Sequence, residues 1–120
     1  MTMPQRALGL HQPISEAKAE LFRALAHPAR IRILEVLAEG ERSVGEIQPL
    51  VGIESSHLSQ QLAVLRRSNL VITRKEGATV RYAIKDRQLV AVLAAAKQLL
   101  INSLVSTQEL LADLQRVEDE

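Results

Sequence analysis

The sequence has no cysteine and no tryptophan, and Phe22 and Tyr82 are its only phenylalanine and tyrosine. Without thiols the chain can form no disulfide, no thiolate metal site, no iron–sulfur cluster and no thiol redox switch. Two such rings are also too few for the stacking surface on which many proteins hold single-stranded nucleic acid. The composition therefore excludes thiol-based sensing and disfavours single-strand recognition by stacking.

Long uninterrupted apolar runs are also missing. The longest extends over eight residues, from Leu89 to Ala96, whereas a helix that spans a bilayer needs about 20. The first residues lack the apolar segment and the cleavage site of a signal peptide. We therefore expect no membrane segment and a cytoplasmic protein.

Motifs that indicate catalysis are absent. The sequence has no H-E-x-x-H motif and no phosphate-binding glycine loop, and Gly40, Ser43 and Gly45 lack the spacing of a nucleophile elbow. Its 120 residues are 47% hydrophobic and 24% charged, which is typical of one small globular domain. The sequence predicts that the protein is not an enzyme and holds no cofactor.

Positive charge is concentrated in the middle of the chain. Residues 1–46 carry six basic and six acidic side chains, residues 47–85 carry six and two, and residues 86–120 carry three and six. The middle segment thus has a net charge of +4 in a chain whose total is +1. This asymmetry is typical of a surface that binds an anion, although ordinary solvated charge would give the same counts.

The first half of the chain shows short helices. Residues 1–14 have little periodicity and are expected to form a mobile arm. Ser15 can cap a first helix, and His27, which precedes a proline, can cap a second. Ser43 and Glu46 have the spacing of a capping box, which predicts a third helix.

A fourth helix is predicted to begin after Ser55 or Ser56, either of which can be its cap. Leu58, Leu62 and Leu65 recur at helical spacing and mark its buried stripe. The opposite face is small and polar, so it can approach another surface closely and form hydrogen bonds there.

The second half of the chain changes pattern twice. Asn69 fits the left-handed position that ends a helix, and the alternation that follows predicts a β-hairpin with a turn at Gly77 and a basic outer face. From Asp86 the pattern is helical, as one helix or as two divided near Asn102 or at residues 106–109. A domain this small cannot cover so much apolar helix, which favours a dimer.

Two short helices with a tight turn, followed by a hairpin, describe a winged helix-turn-helix. The chain resembles the ArsR/SmtB-type bacterial repressors in these matching segments: residues 25–34, 43–47, 56–66, 70–71 and 74–82. The predicted fold is mainly α with a two-stranded β-hairpin, dimeric through its first and last helices. We divide the chain into an arm (1–14), a winged helix-turn-helix DNA-binding domain (15–85) and a dimerisation region of one or more helices (86–120).

The resemblance implies a homodimer that lies on an inverted-repeat operator in double-stranded DNA, blocks transcription and is released by an inducer. The fourth helix would enter the major groove, where serine can pair with any base and glutamine with adenine. The resemblance places the base-edge contacts at Ser55, Ser56, His57, Ser59 and Gln60. Charge places the phosphate contacts at Arg66, Arg67, Arg74, Lys75 and Arg81. The residues expected at the dimer interface are Leu21, Phe22, Leu89, Leu93, Leu100 and Leu104.

One departure from the family lies in the fourth helix. Members often have Ser-x-His-Leu, where this chain has Ser59-Gln60-Gln61-Leu62. Gln61 lies beside the buried stripe, so we expect the change to affect DNA binding little.

The metal-sensing positions of relatives also differ. A cysteine pair used by some corresponds to Gln48 and Leu50, and the ligands that others carry on the last helix correspond to Asp86, Gln88, Leu99 and Asn102. Only the aspartate is a suitable ligand, because zinc and nickel sites need three or four imidazole, thiolate or carboxylate groups.

The three histidines, His11, His27 and His57, share no helical face. The sequence therefore predicts no metal site and leaves an organic ligand, a protein partner or no inducer. The alternative function is a winged helix that contacts only proteins and binds no DNA.

Overall fold

The structure, a computed structural model, describes the backbone of residues 3–119 and the side chains of residues 13–118. Its helices are α1 (Met3–Leu25), α2 (Pro28–Ala38), α3 (Val44–Val51), α4 (Ser55–Arg67) and α5 (Gln88–Asp119). Its strands are β1 (Arg42–Ser43), β2 (Val71–Glu76) and β3 (Thr79–Ile84). The chain divides into two compact units, and the boundary along the sequence lies between Asp86 and Arg87.

Helix α1 begins well before the predicted start at Ser15. Its first residue is Met3, so residues 3–14 of the expected arm are helical, while residues 1–2 lie outside the described part. Pro13 lies inside the helix, where its ring removes one backbone hydrogen bond. That proline made the segment look non-helical in the sequence, but the turns on both sides of it continue.

The caps of α2 and α3 are those that the sequence predicts. His27 has an extended backbone, and its Nδ1 accepts a hydrogen bond from the Ala29 amide at 3.2 Å. Ser43 Oγ accepts from the Glu46 amide at 3.2 Å, while Glu46 Oε1 accepts from the Ser43 amide at 2.9 Å. Gly52 ends α3 with a left-handed backbone, at φ 76°. The entry into the helix-turn-helix is thus determined locally.

The predicted cap of α4 was wrong by one or two residues. The N-cap is Glu54, whose side chain forms no capping hydrogen bond. The two serines have other acceptors: Ser55 Oγ donates to Gln48 Oε1, and Ser56 Oγ donates to Glu54 Oε1, each at 3.0 Å. At the other end Asn69 has the predicted left-handed backbone, with φ 60°.

Helix α4 packs into the core of the first unit through its stripe of leucines. Leu58, Leu62 and Leu65 are at most 1% exposed. The largest fully buried side chains come from α2, α3, α4 and β2: Ile33, Leu34, Leu37, Ile47, Leu58, Leu62, Leu65 and Val71. Burying a leucine or isoleucine stabilises a fold by about 1.5–3 kcal/mol. The opposite face of α4 is therefore held toward solvent.

The hairpin of β2 and β3 has the predicted turn, and a third strand pairs with it. The register extends from Val71↔Ile84 to Glu76↔Thr79, and Gly77 takes φ 62° in the turn. Strand β1 adds an unpredicted third strand that pairs with β3, so that the order is β1-β3-β2. Two residues are too few to show alternation, which is why the sequence predicts only two strands.

Helix α5 forms the second unit and is a single helix. Asn102 does not break it, because its Oδ1 accepts a hydrogen bond from Gln98 Nε2 at 2.9 Å. Thr107 does not start a new helix, because its Oγ1 donates to the Ser103 carbonyl of the preceding turn at 2.9 Å. The helix carries many exposed large apolar side chains: Leu99, Leu100, Ile101, Leu104, Val105, Leu110, Leu111, Leu114 and Val117.

By length and composition alone, residues Gln88–Glu118 of α5 are apolar enough to cross a membrane. The uninterrupted apolar runs of the sequence predict no such segment. The run length and the mean hydropathy give different results because Lys97 interrupts the apolar run but leaves the mean hydropathy of the helix high.

Candidate nucleic-acid interface

The outward face of α4 presents polar side chains directly above the core. Ser55, Ser56, Ser59 and Gln60 are all exposed. Ser59 and Gln60 form no side-chain hydrogen bond within the part of the chain that the structure describes. Gln60 therefore keeps an amide donor and a carbonyl acceptor, which are the two groups that recognise the edge of adenine.

His57, also on α4, is less exposed than these residues. It is only partly exposed, and its ring meets that of His27 edge-on, with centroids 5.8 Å apart and planes at 72°. The sequence counted His57 among the base-contacting residues. That role stays a prediction, and in the structure the ring of His57 contacts the histidine that caps α2.

Gln61 joins three helices inside the protein. It is 8% exposed, and its Oε1 accepts a hydrogen bond from Arg30 Nε at 2.8 Å. Arg30 Nη1 also donates to the Ala24 carbonyl at 3.2 Å. The position at which this chain departs from the family pattern thus carries a structural hydrogen bond and does not face outward.

Three of the five predicted phosphate-binding side chains are free of ion pairs. Arg66, Arg67 and Lys75 are exposed, and no salt bridge within the described residues includes them. Arg66 and Arg67 form the last turn of α4. Their positive charge is therefore available to an anion from outside.

The other two, Arg74 and Arg81, are held by the protein's own carboxylates. Arg81 donates from Nε to Glu41 Oε1 and from Nη1 to Glu46 Oε1, each at 3.1 Å. Arg74 pairs with Glu41 and, at 2.8 Å, with Glu76. That these arginines contact phosphates stays a prediction, and within the protein their charge is compensated.

Strand β1 is the reason for this compensation. Its pairing with β3 places Ser43 opposite Arg81, and Glu41 directly precedes β1. The sequence shows basic residues on the hairpin but not the acidic residues that a third strand brings to them. Without β1, the hairpin would have the basic outer face that the sequence predicts.

Two carboxylates beside these arginines, those of Glu41 and Glu46, have pKa values below their ordinary range. Hydrogen bonding from Arg74, supported by the charges of Arg74 and Arg81, lowers the pKa of Glu41. Hydrogen bonds from the Ser43 backbone and side chain, and then the charge of Arg81, lower the pKa of Glu46. The carboxylates raise the pKa of Arg74 in return. Glu41, Glu46 and Arg74 are therefore ionised near neutral pH.

Two of the three uncompensated cations, Arg66 and Arg67, line one groove between α4 and the hairpin. The groove has a volume of about 470 Å³ and is lined by Ser59, Leu62, Ala63, Arg66, Arg67 and Tyr82. Lys75 lies on the same sheet face as Tyr82, because it pairs with Val80 and side chains alternate along a strand. The groove thus brings Ser59 together with two cations, and Lys75 lies on the sheet face of Tyr82, which lines it.

The predicted dimer residues differ in exposure. Phe22, Leu100 and Leu104 are 59%, 66% and 64% exposed, while Leu21 and Leu93 are partly exposed. Leu89 is only 7% exposed, so it is already buried within one protomer. Little of its side chain remains for a second protomer.

The positions aligned with metal ligands have other uses here. Gln48 accepts from Ser55 and donates from Nε2 to the Ile53 carbonyl at 3.4 Å. No three histidine, aspartate or glutamate side chains come together as a metal site among the described residues. The side chain of His11 lies outside them.

Comparison with known proteins shows similarity to bacterial transcriptional regulators. Residues 27–73 match the family model of the ArsR family of bacterial regulatory proteins. The uncharacterized HTH-type transcriptional regulator Rv0081 of Mycobacterium tuberculosis is 48% identical over 104 residues, which cover 86% of this chain and 91% of that protein. A biofilm growth-associated repressor of Agrobacterium fabrum is 40% identical over 77 residues, 64% of this chain and 66% of the repressor. The transcriptional activator HlyU of Vibrio cholerae is 42% identical over 73 residues, 61% and 68% of the two chains.

Solved structures show the same fold. The crystal structure of Rv0081 is 49% identical with a TM-score of 0.72, and the match covers 78% of this chain and 95% of that one. The solution structure of Mb0332 from Mycobacterium bovis, described as a homodimeric winged helix-turn-helix DNA-binding domain, is 29% identical with a TM-score of 0.71 and covers 78% and 87%.

Proposed function

This chain belongs to the ArsR family of bacterial regulatory proteins, and from that premise we propose that it is a homodimeric repressor that binds an inverted-repeat operator. The family and the relatives are transcriptional regulators, and we propose regulation of transcription without catalysis for this chain. The relatives include both a repressor and an activator. We propose repression by analogy with that repressor; the similarity to the activator is of nearly the same extent, 73 residues against 77.

The observation that carries the proposal is the outward face of α4. Ser59 and Gln60 are exposed and unpartnered above a fully buried leucine stripe. A helix enters the major groove only if its outer side chains are slim and can donate and accept hydrogen bonds. We assign base reading to Ser55, Ser56, Ser59 and Gln60, and leave out His57.

Phosphate binding is assigned to the cations without partners. Arg66 and Arg67 at the end of α4 and Lys75 on the hairpin would neutralise the backbone on either side of the major groove. Arg74 and Arg81 instead hold the hairpin against β1. The proposed DNA contacts are thus fewer than the basic residues of this region.

Self-association is assigned to the exposed apolar surfaces of α1 and α5. Phe22, Leu100 and Leu104 expose more than half of their side chains. In a twofold dimer the two copies of α4 would lie about 34 Å apart, one turn of DNA. We assign the apolar length of α5 to this contact rather than to a membrane, and place the protein in the cytoplasm.

The signal that releases the protein from DNA is proposed to be neither a metal ion nor a thiol oxidant. The chain has no cysteine, and its histidines and carboxylates do not converge within the described residues. A small organic ligand or a protein partner remains.

A salt titration tests the proposal. Fluorescence anisotropy with duplexes from the region upstream of the protein's own gene should show specific binding by a dimer. The logarithm of the binding constant should fall by about 0.9 per neutralised phosphate for each unit of log salt concentration. A chain that binds no duplex even at low salt would instead be a module for protein contacts. Genome-wide mapping of bound sites would then identify the operator and the regulated genes.

A further inference from the structure

A second cavity lies between α1 and the end of α4. It has a volume of about 470 Å³, within the range of roughly 300–1,000 Å³ that is usual for small-ligand sites. Helix α1 forms one wall and the end of α4 with the following connection forms the other. The apolar part of the wall consists of Ala17, Leu21, Ala24 and Leu70.

Arg67 is the one cation of this cavity's lining, and it also lines the groove beside the hairpin. It is exposed and has no ion pair within the described residues. The cavity's carboxylate, that of Glu20, is paired with Arg23 of its own helix. Ser68 adds a hydroxyl that has no side-chain hydrogen bond in the described part of the chain.

From this arrangement we propose that the cavity between α1 and the end of α4 binds a small organic anion, whose charged group pairs with Arg67 and withdraws that side chain from the DNA backbone. The regulatory half of this inference rests on the proposed function. Anion binding and loss of a phosphate contact would then be one event, because one guanidinium serves both sites.

An organic anion fits the cavity better than a second copy of the apolar helix α5. The apolar part of α5, residues 89–105, has no acidic side chain, so if it were seated on the cavity it would bury the guanidinium of Arg67 without a partner, which costs free energy. A carboxylate or phosphate on an apolar body would pair with the guanidinium and cover the alanine and leucine surface together. One free cation beside an apolar wall therefore favours the binding of an aromatic or aliphatic acid.

Binding is tested first without DNA. The probe is 2-naphthoate, with 2-naphthamide as a neutral control of the same shape, titrated at constant ionic strength and followed by amide NMR shifts. We expect naphthoate to shift the amides of Ala17, Leu21 and Ala24. The substitution Arg67→Ala should weaken naphthoate binding by about tenfold or more, since it removes a charged hydrogen bond.

Coupling is tested next by anisotropy with the operator duplex. Naphthoate should weaken duplex binding by about fivefold or more, as expected for a coupled pair of sites. Ala17→Phe fills the cavity from an exposed position, so it should keep duplex affinity and lose the response to naphthoate. Arg66→Ala is the matched control, because Arg66 lines only the groove: duplex binding should weaken while naphthoate binding stays unchanged.

Three results would overturn the proposal. These are no amide shifts in the cavity, equal binding of the acid and the amide, or an equal response of the wild type and Ala17→Phe. If the wild type binds no duplex at low salt, the proposed function fails and the coupling fails with it. The NMR titration still decides whether the cavity takes the anion.

Discussion

Arg30 of α2 donates a hydrogen bond from Nε to Oε1 of Gln61 of α4 across 2.8 Å, and the same guanidinium reaches the Ala24 carbonyl of α1. One side chain thus sets the spacing of three helices. Gln61 is a nearly buried polar residue, so its hydrogen bond determines how α4 sits on the core.

We expect Gln61→Ala to lower the free energy of unfolding by about 1–3 kcal/mol, because Arg30 would lose its acceptor in a part-buried site. Urea denaturation measures this change. Gln60→Ala, one residue away and exposed, is the control and should change stability by less than about 0.5 kcal/mol. Equal stability of the two variants would show that the Arg30 contact contributes nothing.

Gln60→Ala should instead affect recognition. We expect operator affinity to fall by about 1–3 kcal/mol, because the variant lacks the amide that pairs with a base edge. Binding to unrelated duplexes should stay nearly the same. The comparison is made by anisotropy at one salt concentration, and losses of equal size on every sequence would remove Gln60 from base reading.

Lys75 and Arg74 should behave differently although they are neighbours in β2. Lys75→Ala removes a free cation, so binding should weaken on all sequences and the salt slope should decrease by about 0.9. Arg74→Ala removes a compensated cation, so the slope should change little. Salt titrations of both variants measure the difference. A slope reduced by Arg74→Ala and not by Lys75→Ala would reverse the assignment.

The carboxylates beside β1 predict an acid-sensitive wing. The folded-state pKa values of Glu41 and Glu46 lie below the ordinary value of 4.5, so their stabilisation is complete above that pH. It is lost as the pH falls through the folded-state pKa values. Double replacement by Glu41→Gln and Glu46→Gln should flatten this acid limb of the unfolding free energy. Denaturant titrations between pH 3 and pH 6 provide the measurement, and an unchanged limb would locate the sensitivity elsewhere.

Self-association is tested on α5. Leu100→Glu should yield monomers, because a carboxylate buried in an apolar contact has no partner there. Gln98→Glu adds the same charge to a polar position of the same helix and should leave the assembly intact. Sedimentation velocity distinguishes the two. Dimers that survive Leu100→Glu would place the interface on another surface.

Local signals in the sequence were sufficient for much of the helix-turn-helix. The caps at His27 and Ser43 and the left-handed Asn69 depend on neighbours within a few residues. The stripe of Leu58, Leu62 and Leu65 likewise follows from helical spacing alone. For such features the local preference and the folded structure agree.

Features that depend on distant partners were not predicted. The pairing of Arg81 with Glu41 joins residues 40 positions apart through a strand of two residues. The contact of His57 with His27 also requires the packing of α4 on α2. The sequence shows which residues are basic or polar. Only the fold shows which of them already form ion pairs or contacts within the protein.

Strand β1 has a further consequence for encounter with a target. By hydrogen bonding to β3, it fastens the hairpin to the same framework that orients α4. The conformational freedom of the hairpin is therefore lost during folding and not at the moment of association. The hairpin therefore associates with its target as a preformed surface. This favours a high association rate, and the residence time is determined by the contacts formed.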